Sequence, residues 1–201
     1  MNTTQADRVI QLTEQQQILS TREARQHGLA PDLLLSLHQS GKLKQLARGL
    51  YTLPHVEFTP EQNLLYVYKR VTKGVVCLMS SLYLHGVIDQ APEVIWLALP
   101  ESSHMPRVGY PLVRVVRLGS ALHAQSVETL TLKGTPVQVY SVARSVTDCF
   151  KFRNKIGRDI GPNALKAAWE QGKVTLPDLW REAEANRVAN VMRTYLDALT
   201  V

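Results

Sequence analysis

The chain has 201 residues, 45% of them hydrophobic, and a formal net charge of +6, with 23 Lys and Arg against 17 Asp and Glu. That much apolar content excludes a disordered chain and suffices for one compact domain plus a small one, while the basic balance suits a polyanionic partner without requiring one. No apolar run approaches a membrane span, the polar opening MNTTQADR does not read as a signal peptide, and Cys77 and Cys149 lie in apolar surroundings with no Cys or His at metal spacing, so buried reduced thiols and a cytoplasmic location are expected.

In chain order, Ala6, Val9, Ile10 and Thr13 recur at helical spacing and predict a helix from about Thr4 to Gln16, followed by a short strand at Ile18-Leu19. Ser20 with Glu23 three positions on is a capping box, in which hydroxyl and carboxylate each satisfy an orphan amide, and Gly28 supplies a stop. A second helix is therefore predicted over Thr21 to His27. Leu29, Leu33, Leu34 and Leu37 then form an apolar stripe, with Pro31 tolerated in a first turn. The opposite side of that third helix carries Asp32, Leu35, Gln39 and Lys42, flanked by Ser36 and His38. Gly41 closes it, and Leu43 to Leu46, Ala47-Arg48-Gly49 and Leu50 to Leu53 read as strand, turn and strand, with Arg48 at the tip.

This layout predicts a winged helix-turn-helix over residues 1–57. In a DNA-binding reading the third helix enters the major groove while the wing and helix ends grip phosphates. Arg22, Arg25, Lys42, Lys44 and Arg48 are the candidates for phosphate, and Asp32, Ser36 and Gln39 face the groove. Gln39 has the groups to pair adenine and Asp32 those to accept from cytosine N4. Asp32 equally fits a first-turn acid favoured by the helix dipole, and its charge repels phosphate. Two helices and a hairpin also occur as a plain structural module.

Residues 58–201 form the expected larger domain. Thr59-Pro60-Glu61-Gln62 is a second capping signature, opening a helix with Leu64, Leu65, Tyr68 and Val71 on one face. VVCLMSSLYLHGV reads as a buried helix ending at Gly86; its Ser80, Ser81 and His85 suggest a nucleophile and base, but no acid stands at a recognisable position. The period then changes. Runs at 94–100, 111–118, 127–134 and 135–141 are strand-like, and the pair around Lys133-Gly134 reads as a hairpin. A helix follows from Ser141, with Val142, Val146, Cys149 and Phe150 inward and Arg144 and Asp148 spaced for an i,i+4 pair. Three more helices are expected at Asn163 to Gln171, Leu176 to Asn186 and Val188 to Leu199. The class is thus α+β: an N-terminal winged helix-turn-helix, then a mixed or antiparallel sheet flanked by helices.

Enzyme templates find no match. The chain has no Walker loop, no Rossmann glycine fingerprint, no H-E-x-x-H and no G-x-S-x-G, and Asp89, Glu101 and Glu128 are scattered rather than paired as metal ligands on adjacent strands. No catalytic residue, metal or cofactor is expected. A second basic group comprises Arg107 and Arg114 with Lys151, Arg153, Lys155 and Arg158. Helix-end and strand-edge cations account for it in one reading, a positive face touching DNA or an acidic partner in the other. Arg114 and Arg117 differ by an odd number and point to opposite faces of a regular strand.

The wording GLA...LHQSGKLKQLARGLYTL, together with CLMSSLYLHGV and PVQVYSVARSVTDCFKFRNKIG, resembles AbiEi-type antitoxins, the viral-defence transcriptional regulators of a type IV toxin-antitoxin system. The resemblance spans nearly the whole chain and rests on Arg48-Gly49-Leu50-Tyr51, Leu84-His85-Gly86 and the Ser141 to Asp148 helix. It implies a winged helix that binds inverted repeats in its own promoter, with several protomers cooperating on the DNA. It also implies a C-terminal domain that counters a nucleotidyltransferase toxin without a stable complex. Where many relatives look basic on the groove helix, this chain has Asp32, Leu35 and Gln39. A protein-interaction adaptor or a general transcription regulator, in which the winged helix is structural, is the alternative.

Overall fold

A computed structural model of the chain describes residues 4–104 and 107–200. The residues up to Thr72, joined by Thr131–Val137, form one compact unit; Lys73–Leu130 and the residues from Gln138 onward form another.

The first unit runs α1 (Gln5–Gln16), β1 (Ile18–Ser20), α2 (Thr21–Gln26), α3 (Pro31–Gln39), β2 (Lys44–Ala47), β3 (Leu50–Thr52) and α4 (Pro60–Arg70). Both predicted start signals are formed: the Ser20 hydroxyl accepts from the Glu23 N–H while the Glu23 carboxylate takes the Ser20 N–H, and Thr59 caps α4 through the Gln62 N–H. The three strands make an antiparallel sheet in the order β1-β3-β2, with Thr52 opposite both Ile18 and Lys44. Val9, Leu19, Ala24, Leu29, Leu34, Leu37, Leu43, Tyr51 and Leu53 fill its core. The apolar stripe of α3 therefore packs inward, which leaves its other side to solvent.

A contact invisible in the sequence fastens α4 to this group. Lys69 Nζ pairs with Glu23 at 2.9 Å and also donates to the Ile18 carbonyl. Glu23 thus serves the α2 cap and an ion pair at once. Burial raises its pKa, but the Lys69 ammonium and the Ser20 hydrogen bonds outweigh that and hold the carboxyl below the usual range. Burial lowers the Lys69 pKa, opposed by Glu23.

The hairpin turn in the same unit is the one expected at Lys133-Gly134. Both residues have positive φ, 48° and 75°, the signature of a two-residue type I′ turn. A Cβ on Gly134 would stand 2.1 Å from the Gln15 carbonyl oxygen, so glycine is required there for contact as well as for conformation.

The second unit contains β4 (Val75–Val76), α5 (Leu78–Leu84), β5 (Ile95–Pro100), β6 (Val113–Leu118) and α6 (Ser120–Ala124). Next come β7 (Val127–Leu132) and β8 (Thr135–Tyr140), whose turn-side ends within Thr131–Val137 belong to the first unit, then α7 (Val142–Lys151), α8 (Arg153–Ile156), α9 (Ile160–Glu170), α10 (Leu176–Ala185) and α11 (Ala189–Asp197). The five-stranded sheet has the order β6-β5-β4-β8-β7 and is mixed: β5 runs parallel to β6 and antiparallel to β4, and β4 runs parallel to β8. The α+β class with a mixed sheet and flanking helices is observed.

Val75-Val76, expected as the start of a helix, is instead the central strand of that sheet. Both residues are buried, and a strand covered on both faces loses the alternation that would mark it. Helix α7 also differs from expectation: beyond its predicted inward residues, Arg144, Ser145, Thr147 and Asp148 are fully buried too. Arg144 Nε donates to Asp148 Oδ1 at 3.0 Å, Nη1 reaches the Leu122 carbonyl at 3.3 Å, and the guanidinium lies 4.7 Å from the Tyr140 ring centroid. The expected i,i+4 pair exists, but it sits inside the core. Burial lifts the Asp148 pKa to about 6 in spite of Arg144. No helix among the described residues is long and apolar enough to cross a membrane.

Candidate nucleic-acid interface

Arg22 and Arg25 lie on α2, Asp32, Ser36 and Gln39 on α3, Lys42 just beyond it, Lys44 at the start of β2, and Arg48 in the β2–β3 turn. All eight are exposed. The turn is built by Gly49, whose φ is +75° and whose Cβ position lies 3.0 Å from the Thr21 hydroxyl. Its carbonyl accepts the Thr21 N–H at 2.9 Å. This bond joins the hairpin turn to the first residue of α2, so Arg48 and Arg22, each one residue from it, stand at the same end of the unit. Nothing in the separate sequence signals for cap and turn foretold that junction.

Helix α3 has an unusual N-terminus. Its N-cap is Ala30, which offers no side-chain acceptor, and Asp32 is the acid of its first turn. The carboxylate compensates a helix end that no cap satisfies. On the exposed side Leu35 keeps 44% of its surface accessible beside Ser36 and Gln39. His38, expected on the flank of that side, is half-buried: Nδ1 is 3.1 Å from the Leu43 carbonyl and the ring is tilted toward Tyr51. It belongs to the packing between α3 and the hairpin.

The basic residues of the second unit are dispersed in role. Lys151 reaches Asn186 Oδ1 at 3.4 Å and Arg153 donates to the Phe150 carbonyl at 2.7 Å, both half-buried and engaged. Arg107 and Arg158 are exposed. Arg114 and Lys155 are brought together: they line one groove with Trp96, Val113 and Val115.

The serines of α5 and the histidine at its C-cap are committed to structure. Ser80 Oγ accepts the Trp96 N–H at 2.9 Å, Ser81 Oγ donates to the Tyr140 carbonyl at 2.8 Å, and His85 Nε2 is 2.9 Å from that same carbonyl. A base oriented on a carbonyl oxygen is not oriented on a hydroxyl. No cluster of three or more His, Cys, Asp or Glu that could hold a metal is present among the described residues.

Comparison with known proteins gives a family match over part of the chain and a likeness of fold over most of it. Residues 7–54, wholly within the first unit, match the family described as "Transcriptional regulator, AbiEi antitoxin". The family so described consists of transcriptional regulators and antitoxins rather than a class defined by catalysis. Among solved structures, the chain is similar to the Rv2827c protein from Mycobacterium tuberculosis, with a TM-score of 0.58 and 16% identity, covering 90% of this chain and 71% of that one. At that identity the likeness concerns the fold. Among curated proteins none matches the sequence.

Proposed function

We propose that the chain is a DNA-binding transcriptional autorepressor and antitoxin, with residues 1–57 acting as a winged helix-turn-helix. The observation that carries the reading is the joint placement of an exposed α3 face and the Arg48 turn, tied to the start of α2 through Thr21 and Gly49, within the segment that matches a regulator family. In this reading α3 enters the major groove, with Gln39 and Ser36 on base edges, and Arg22, Arg25, Lys42, Lys44 and Arg48 neutralise phosphates. Inverted repeats in the protein's own promoter are the target, bound by several cooperating protomers. Residues 58–201 counter a partner nucleotidyltransferase toxin without a stable complex, a role supported by the antitoxin resemblance of the LHG segment and the Ser141 to Asp148 helix. The protein acts in the cytoplasm as a regulator, not an enzyme.

The test is a titration of the full chain with a duplex of its promoter region at several salt concentrations. Binding should weaken steeply with salt, Arg48→Ala and Lys44→Ala should reduce affinity on all sequences, and Gln39→Ala should change base preference. Binding by all three variants equal to the parent's would overturn the assigned surface. A second reading, a protein-interaction adaptor, is favoured by Leu35 and Asp32, an exposed leucine and an acid on the same helix. It predicts no salt-sensitive duplex binding and loss of a protein partner on Leu35→Ala.

A further inference from the structure

Strand β6 is the outermost strand of its sheet, with β5 as its one strand neighbour among the described residues. The Ile95 N–H donates to the Leu112 carbonyl and the Glu101 N–H to the Leu118 carbonyl. In a parallel ladder this turns the even-numbered backbone groups of β6 toward β5 and leaves those of Val113, Val115 and Arg117 pointing away. Along this open edge Val113 and Val115 are only half-buried, and Leu112 is 55% exposed. The groove beside the edge, about 390 Å³, is lined by Trp96, Val113, Arg114, Val115 and Lys155. Arg114 is paired in register with Trp96, and its guanidinium lies 5.8 Å from the indole centroid, so both face the same side of the sheet. The indole N–H of Trp96 is a buried donor with no partner among the described residues.

We propose that the outer edge of β6 is a docking site for an extended acidic segment of a partner protein, which adds a strand to the sheet. The outward-facing groups of Val113, Val115 and Arg117, which have no main-chain partner among the described residues, supply the main-chain bonds, as in strand addition generally. Alternation divides the incoming side chains: acidic residues on the Trp96 side meet Arg114 and Lys155, and apolar residues on the other side meet Val113 and Val115. Charge selects the occupant. A second copy of β6 paired antiparallel about Arg114 would set arginine against arginine, a like-charge pairing that costs free energy, and in any register it brings more cations to this edge, whereas an acidic strand answers Arg114 and Lys155.

The test is a fluorescence-anisotropy titration of the full chain with a labelled octapeptide of alternating valine and glutamate, against its valine-lysine counterpart. The glutamate peptide should bind and the lysine peptide should not. Arg114→Glu with Lys155→Glu should weaken binding at least about tenfold. N-methylation of the peptide's valines, which leaves the protein untouched, should abolish it. Val115→Pro should do the same while circular dichroism stays unchanged, because the lost N–H faces away from β5. Equal binding of the lysine peptide, indifference to N-methylation, displacement of the peptide by duplex DNA, or concentration-dependent self-association through this edge would each overturn the proposal.

Discussion

Gly134 is subject to two separable constraints, a left-handed backbone and a carbonyl at 2.1 Å from where its Cβ would be. Gly28 shares the first, with φ +73°, but has nothing within 4 Å of that position. Alanine at Gly28 should therefore cost about 1–2 kcal/mol, the left-handed penalty alone, and alanine at Gly134 distinctly more. Urea denaturation of the two variants reads the difference, and equal losses would refute the close contact. Asp148 supplies a pH test. Its folded pKa of about 6 lies above the ordinary 3.8, so the fold holds this proton more tightly than the unfolded chain does. The resulting stabilisation is complete below about 3.8 and lost as pH rises through about 6. Replacement by Asn should flatten the fall in stability between pH 4 and 7, measured by denaturation at each pH; parallel curves for parent and variant would contradict it.

At the scale of elements, α2 depends on one carboxylate. Glu23→Gln removes the ionic half of its pairing with Lys69 and weakens the cap, leaving a largely buried ammonium unmatched, and should destabilise by about 1–3 kcal/mol. Because the Glu23 pKa is depressed in the fold, its contribution is present above the ordinary 4.5 and lost as pH falls through the folded value. The variant should thus show a shallower acid-side decline than the parent in a pH series of thermal melts, by the share that Glu23 contributes. Helix α3 makes the opposite use of its acid: Asp32→Asn should lower stability by about 0.3–1 kcal/mol at the uncapped end, and in the DNA-binding reading tighten non-specific duplex binding. Most of these elements were legible in the residues, since Ser20/Glu23, Thr59-Pro60 and Lys133-Gly134 are local signals for local hydrogen bonds. Val75-Val76 was not, because a two-residue strand buried on both faces has no period to read. Nor were α6 and α8, which at five and four residues are shorter than two helical turns.

For the whole molecule, the DNA-binding reading requires that the first unit neutralise phosphates. Each phosphate contact contributes about 0.9 to the slope of log affinity against log salt concentration; removing Arg48 should lower the magnitude of that slope by about that amount, whereas removing Gln39 should leave it unchanged. Anisotropy titrations across salt decide this, and an unaltered slope for Arg48→Ala would take the turn off the DNA. The candidates for this surface could be listed from the sequence because exposure on a helix follows from the stripe opposite. Their mutual placement could not, since it rests on the Thr21 to Gly49 bond and on Lys69, partners far apart in the chain. The same holds for Arg114 and Lys155, which share a groove from separate elements.

The turn at Thr131–Val137 has a bearing on synthesis. Gln15 leaves the ribosome 119 residues ahead of Gly134 (134 − 15), yet the two touch within one unit. Vectorial synthesis thus holds the N-terminal unit short of completion until the later hairpin emerges, because a contact between distant residues cannot form before both exist. A nascent chain stalled before Thr131 should therefore be more sensitive to protease in α1 than the finished protein, and one released after Val137 should match it.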